Sequence, residues 1–332
     1  MQDLTQRVLD AGKGAGLVAV GVASAEPFDS TRRDLLERRS AGLSAGMQFT
    51  YRNPQRSTDA SRALPGARAL VAGAYPVCGV VASPAAQPTA HGRVARYVWR
   101  DHYAELRDAL GVVAATLRDA GFAARVLADD NALVDRAVAV RAGLGWWGKN
   151  ANVLVPGHGS WVVLGCVVTD APLVPSDDRP EDGCGSCSRC IDGCPTGAIV
   201  APGVVDARRC LAWLVQAPGT FPVEFRQALG DRIYGCDDCQ EVCPPSRRVK
   251  HAETEPVSVD LTRIVASSDD EILRVHGKWY IGERDPRHVK RNALIALGNV
   301  GDDSVVPLLS EVARADDELL AEHARWALAQ LA

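Results

Sequence analysis

No stretch of this 332-residue chain approaches the ~20 consecutive apolar residues that cross a bilayer. The first residues, Met1-Gln-Asp-Leu-Thr-Gln-Arg7, contain neither an apolar signal region nor a twin arginine. A soluble cytoplasmic protein with no membrane partner is therefore expected. An excess of positive charge is also missing: 37 Lys and Arg stand against 41 Asp and Glu, for a net charge of −4. No global basic field draws in nucleic acid, so any RNA contact must come from a local patch. What remains is an ordinary globular composition, 47% hydrophobic and 23% charged, in a chain long enough for two or three domains.

Cysteine is the abundant exception, with ten in the chain. Where no secretory segment is seen, that number favours metal or redox work over disulfides. Eight fall in one region. The run Cys184-Gly-Ser-Cys187-Ser-Arg-Cys190-Ile-Asp-Gly-Cys194-Pro195 has the C-x2-C-x2-C-x3-C-P spacing of bacterial ferredoxins. A second run, Cys236-Asp-Asp-Cys239-Gln-Glu-Val-Cys243-Pro244, repeats it with the leading cysteine moved upstream to Cys210. In two-cluster ferredoxins the fourth cysteine of each run ligates the other cluster. The expectation is two 4Fe-4S clusters. One is held by Cys184, Cys187, Cys190 and Cys243, the other by Cys194, Cys210, Cys236 and Cys239. Structural zinc is the competing assignment, because zinc also takes four cysteines, but it does not require three at x2, x2 followed by x3-C-P. Cys78 and Cys166 lie in apolar, strand-like stretches and are expected to be packed thiols.

Along the chain, residues 4–15 suggest a helix and Leu17–Val22 a strand, with polar and glycine-rich sequence to about Ser61. Ala69–Tyr75 suggests a buried strand, and residues 78–92 a loop. Leu106, Leu110, Val113 and Leu117 form one helical stripe within Tyr103–Ala120. A strand is expected at Ala124–Leu127 and a helix at Ala132–Ala142. Val153–Val155 and Trp161–Val168 are expected to form a hairpin. Alternating helices and strands make the first ~170 residues an α/β domain. Residues 171–183 form a linker, and Arg247-Arg-Val-Lys-His251 a short basic run. In the tail, Ala293–Gly298 resembles Ala324–Ala329 at a spacing of 31, with another helical stripe at Val305–Val312 between them, the pattern of HEAT-like repeats. Arg284, Arg287, Lys290 and Arg291 form a basic run, either a solvated helix face or an RNA contact.

Several segments together resemble epoxyqueuosine reductase. They are Gly143-Leu-Gly-Trp-Trp-Gly-Lys-Asn150, the two cysteine runs, Tyr234-Gly-Cys-Asp-Asp-Cys-Gln240 and Arg291-Asn-Ala-Leu-Ile-Ala-Leu-Gly298. The resemblance covers nearly the whole chain in the same order. It implies reduction of epoxyqueuosine to queuosine at the wobble base of tRNA, the last step of queuosine biosynthesis, with electrons passing through the two clusters to a base-off cobalamin. The absence of a D-x-H stretch agrees with a cobalamin that has no histidine on cobalt. The resemblance further implies an α/β, nitroreductase-like cobalamin-binding domain over 1–175. A ferredoxin-like two-cluster module is implied over 176–250 and HEAT-like helical repeats contacting tRNA over 251–332.

Asp129, in Ala128-Asp-Asp-Asn131, matches the family's proton donor, although the adjacent Asp130 leaves open which carboxyl carries the proton. Arg56, Asp129, Asp237, Asp238 and the backbone near Val153 and Leu164 are the implied cobalamin contacts. Trp99-Arg-Asp-His-Tyr103 departs from the family's more usual Gly-x-Asp-Tyr-His order, which predicts reorganised local contacts. A monomer served by an external one-electron donor such as flavodoxin or ferredoxin is expected. A reductive dehalogenase-like oxidoreductase and a ferredoxin-type electron carrier are the competing functions. The missing export signal argues against the first, and the large α/β domain against the second.

Overall fold

The computed structural model describes residues 2–77, 89–177, 179–249 and 257–332. The chain opens with α1 (Gln2–Gly14), β1 (Ala19–Ser24), α2 (Asp29–Ser40), β2 (Ala69–Pro76) and β3 (His91–Val94). It continues with α3 (His102–Asp119), β4 (Ala124–Ala128), α4 (Asp135–Arg141), β5 (Trp146–Trp147), β6 (Val153–Leu154) and β7 (Val162–Thr169). Strands β1, β2, β7 and β4 lie side by side in that order, every neighbouring pair antiparallel. β2 and β7 are the central pair, and residues 69–74 and 163–169 are all buried, as expected for strands covered on both faces. The stripe Leu106, Leu110, Val113 and Leu117 of α3 packs with Val8 of α1 on one face. α4 covers the other face, with Ala137, Val138 and Ala139 in the core. Asp101 starts α3 by accepting a hydrogen bond from the Ala104 amide at 2.9 Å.

The cysteine-rich stretch forms short elements around its loops. These are α5 (Arg189–Asp192), β8 (Ile199–Ala201), β9 (Val204–Val205), α6 (Leu211–Leu214), α7 (Val223–Leu229), β10 (Arg232–Tyr234), α8 (Asp238–Glu241) and α9 (Pro244–Arg247). The tail adds β11 (Ser258–Asp260) and α10 (Leu261–Ala266), then α11 (Asp269–His276), α12 (Arg287–Val300), α13 (Val306–Val312) and α14 (Glu318–Leu331). The matching segments of α12 and α14 pack on each other, and Ala293, Leu294, Leu297, Ala324 and Ala327 share one core.

Three differences from the sequence expectations have physical causes. α2 lies where only polar sequence was expected; Leu35 is its one buried residue, so no apolar stripe announces it. The expected hairpin does not form: β6 pairs with β5, whereas β7 joins β2 and β4. The boundaries at 175/176 and 250/251 also cut through a sheet. β10 pairs parallel to β3 and β11 pairs antiparallel to it, so one sheet takes a strand from each expected domain. Cys78, most of the expected loop at 78–92, and Lys250 and His251 of the basic run lie outside the described residues. Cys166 is buried in β7, and burial pushes its thiol pKa up.

Candidate functional site: two thiol sets and a carboxyl

The eight cysteines between 184 and 243 are free thiols, half-buried or buried. Their electrostatic neighbourhoods fall into two sets. Burial pushes the Cys190 thiol up, and the thiols of Cys243, Cys184 and Cys187 add to the shift. Cys239 is pushed well above the usual thiol value by burial, and then by Cys236, Cys210, Asp237 and Cys194. Burial and then Asp238 raise Cys236 to about 12. A free thiol in such a place keeps its proton; a metal replaces it and stabilises the thiolate. Among the described residues no three His, Cys, Asp or Glu side chains meet closely enough to hold a single ion. Backbone N–H groups also point at sulfur, as from Ala198 to Cys194 Sγ at 3.2 Å. Soft donors in fours, sheltered and beside N–H groups, fit iron–sulfur clusters.

One segment of the N-terminal body grips both cysteine loops. Lys149 Nζ donates to the carbonyls of Gly185 at 2.6 Å and Cys187 at 2.9 Å. Its neighbour Asn150 donates from Nδ2 to the Cys239 carbonyl at 3.3 Å. Both residues were visible in the Gly143–Asn150 motif, but nothing in their spacing disclosed these partners. A third tie comes from Ser246, three residues after Cys243. Its hydroxyl accepts from Ser160 N at 3.1 Å, and its carbonyl accepts from Trp161 Nε1 at 3.1 Å. Gly159 makes this approach possible. Its φ is +55°, and an added Cβ would lie 2.5 Å from Ser246 Cα.

Asp129 follows β4 at the end of the central sheet, with a left-handed φ of 54°. Its carboxyl pKa is raised, chiefly by burial; Arg107 opposes the shift and Asp130 adds to it. The two adjacent carboxyls differ in their partners. Asp130 Oδ1 closes the local turn by accepting from Ala132 N at 2.8 Å, whereas Asp129 is exposed over much of its surface and its carboxyl is only partly desolvated. Tyr103 and Tyr234 stand near enough for the Asp129 charge to raise both phenols, behind the larger effect of burial. In the Trp99–Tyr103 segment His102 is enclosed and faces Glu105 at 3.3 Å, and the Asp129 charge acts on Tyr103.

The remaining candidates are dispersed. Asp237 Oδ2 accepts from Arg96 N at 2.8 Å, and burial pushes its carboxyl up to about 6. Both oxygens of Asp238 are taken by Arg232 at 2.6 and 2.7 Å. Val153 and Leu164 are buried in sheet ladders, in the core between the sheet and α4. Arg56 lines a cleft of ≈ 460 Å³ with Phe49, Arg52, Asn53, Ser57 and Asn131. Ser57 Oγ donates to the Asn131 carbonyl at 2.7 Å, so this cleft adjoins the Asp129 loop.

The basic run in the tail requires correction. Arg291 is fully buried, and its guanidinium donates to the carbonyls of Leu214 and Ala217, both at 2.9 Å, and of Gly219. It cannot face an RNA backbone. Arg287 is paired with Asp285 and Asp317, and Lys290 with Asp269. Arg284 is exposed and donates to the Gly277 carbonyl at 3.1 Å. The run is committed to the protein's own acids and carbonyls.

Residues 183–246 match the 4Fe-4S double cluster binding domain family. With that domain joined to an α/β body, the chain is an iron–sulfur oxidoreductase. Its sequence is 35% identical over 319 residues to epoxyqueuosine reductase of Bacillus cereus, covering 92% of this chain and 83% of that protein. It is 34% identical over 325 residues to the Bacillus subtilis enzyme, covering 93% and 82%. A crystal structure of epoxyqueuosine reductase with a tRNA-Tyr epoxyqueuosine-modified stem loop superposes with a TM-score of 0.90 at 32% identity, covering 99% of this chain and 90% of that one. The chain belongs to the epoxyqueuosine reductase family.

Proposed function

We propose that this protein reduces epoxyqueuosine to queuosine at the wobble position of tRNA, using two 4Fe-4S clusters and a base-off cobalamin. Family membership supports the substrate. The observation that carries the chemistry is the Asp129 carboxyl presented on a left-handed turn at the end of β4, in the same chain as two sets of four thiols. We read residues 1–175 as the nitroreductase-like cobalamin-binding body, 176–250 as the cluster module and 251–332 as HEAT-like repeats that contact tRNA. The reading includes a monomeric, cytoplasmic enzyme reduced by a flavodoxin or ferredoxin. Among the described residues no helix is long and apolar enough to cross a membrane.

The reaction breaks two C–O bonds, makes a C=C bond and releases water, so it consumes two electrons and two protons. When bound, the clusters supply single electrons and cobalamin the strongly reducing two-electron chemistry. The clusters would be held by the eight cysteines named above. Cobalamin would be held by Arg56, Asp237, Asp238 and the backbone near Val153 and Leu164. The fit for cobalamin rests on the cleft beside the Asp129 loop. Among the described residues the Arg52 and Arg56 guanidiniums there have no ion-pair partner, which suits an anionic portion of a large cofactor.

Asp129 is the acid. Its pKa is raised, chiefly by partial desolvation, which favours the protonated form relative to an ordinary aspartate and suits a donor to the departing oxygen. Asp130 holds the turn that presents Asp129. Tyr234 is buried and Tyr103 half-buried, and desolvation raises both phenols. Lys149 and Asn150 fix the cysteine loops against the body that carries the acid.

The test is to incubate anaerobically reduced, cluster- and cobalamin-loaded protein with tRNA bearing epoxyqueuosine and to look for queuosine by nucleoside mass spectrometry. Queuosine formed in proportion to enzyme supports the reading. No product from a preparation with full iron and cobalt content removes it.

A further inference from the structure

Aromatic residues make up 5% of this chain, and only six are tyrosine. Four of those six, Tyr97, Tyr103, Tyr234 and Tyr280, nevertheless gather in one place. The Tyr97 and Tyr234 ring centres are 6.3 Å apart. Tyr234 stacks on Trp279 at 4.6 Å with 16° between the planes, and His276 tilts against Trp279 at 4.3 Å. The Tyr280 amide donates to the Tyr234 hydroxyl at 2.7 Å. That bond pins the backbone of the connection between α11 and α12. Tyr280 is 51% exposed, as is Val275, next to His276. At the other end of the series the Asp129 charge acts on Tyr234 and Tyr103. The series thus runs from the neighbourhood of Asp129 through the enclosed Tyr234 to the surface of the tail.

Ion pairs hold part of the charge around its outer end. Lys278 is paired with Asp101 at 2.9 Å, and Arg274 faces Glu271 at 4.0 Å, an acid it shares with Arg263. The exposed Arg284 donates to the Gly277 carbonyl. Arg287 and Lys290 are paired as well, and Arg291 is enclosed. What this face offers besides these cations is ring surface. Single-stranded RNA loops are recognised in this way: unstacked bases lie on aromatic faces and on histidine.

We propose that His276 and Tyr280, backed by Trp279, form a stacking platform for bases of the tRNA anticodon loop that flank the wobble nucleotide. The proposal rests on the function given above. It assigns RNA affinity at this face to stacking rather than to the arginine run.

The experiment measures binding of an unmodified anticodon stem-loop RNA to the full, cluster-loaded protein by fluorescence anisotropy across a salt series. Trp279 is left intact because it packs on Tyr234. Tyr280→Ala is expected to weaken binding by about 5- to 150-fold, the range of one lost base–ring stack. His276→Ala should weaken it in the same direction, and Tyr280→Phe should keep wild-type affinity. The slope of affinity against salt should not change, because no phosphate contact is removed. A 2-aminopurine beside the wobble position should be quenched by wild type and less so by Tyr280→Ala. Wild-type affinity and quenching in both alanine variants would overturn the platform while leaving the proposed reaction intact. Failure of the wild-type protein to bind the stem loop at any salt would instead remove the reaction assignment on which the platform rests.

Discussion

Replacing Arg291 with methionine asks whether this arginine belongs to the fold or to an RNA-facing surface. Methionine is also unbranched and fills much of the same space, but it donates no hydrogen bond. The carbonyls of Leu214, Ala217 and Gly219 and the Asn292 side-chain oxygen would each lose a donor. A bond from a charged donor contributes about 1.5–3 kcal/mol, so three carbonyls represent roughly 4–9 kcal/mol before offsets. The offset is substantial. Burial, and then Arg226, push the Arg291 pKa down to about 9, so the enclosed charge is itself unfavourable. A net loss of about 2–4 kcal/mol is expected, which for a chain of this size lowers Tm by about 5–10 °C. Differential scanning fluorimetry under anaerobic conditions measures it. Stem-loop RNA affinity, taken well below both transitions, should remain within about twofold, as for a substitution remote from the contact. An unchanged Tm together with lost RNA affinity would refute the enclosed placement and return Arg291 to the RNA surface.

Asp129→Asn should cut queuosine formation by about 10²- to 10⁴-fold, the range for a positioned acid, while iron content and RNA affinity stay unchanged; asparagine tolerates the left-handed backbone at this position, so strain does not confuse the result. Near-normal turnover would remove Asp129 from the mechanism. His323 accepts from the Phe221 amide at 3.2 Å, and burial pushes its pKa down to about 4. The unfolded chain takes up this proton near pH 6.5 and the folded one does not. Stability should therefore fall by about 3 kcal/mol as pH drops from about 6.5 to about 4. Asp237, raised to about 6, acts in the opposite sense over that window, so the measure is the difference in Tm–pH profiles between wild type and His323→Gln. A zero difference would refute the buried neutral imidazole. Gly159→Ala should displace the chain at Ser246 and lower both Tm and retained iron, measured by calorimetry and metal analysis. Cys239→Ala should remove about half of the iron of an eight-iron protein, or all of it if the two sets assemble only together; undiminished iron would remove Cys239 from the ligands.

Much of the architecture could be read before any coordinates were known, where a physical period exposes it. The α3 stripe repeats every three or four residues, β2 is a continuous apolar run, and the cysteine spacings belong to one kind of ligand. α2 escaped because a helix with one buried leucine has no period to detect. The pairing of β6 and β7 escaped because neighbouring apolar runs do not disclose which ladder each will join. The arginines failed for a different reason. Arg287, Lys290 and Arg291 have the spacing of a solvated face, and only the folded chain shows an acid beside two of them and a ring of carbonyls around the third. The role of Asp130 is likewise a matter of one turn hydrogen bond, which spacing does not encode.

Two adjacent side chains, Lys149 and Asn150, reach from the body that carries Asp129 to one loop of each thiol set. That arrangement works as a yoke. A shift of this short segment would carry both thiol loops in the same direction and leave the gap between them little altered, while changing how far each stands from the acid. Strain arriving at β5 and β6 would thus be felt between the thiol sets and the acid rather than between one set and the other.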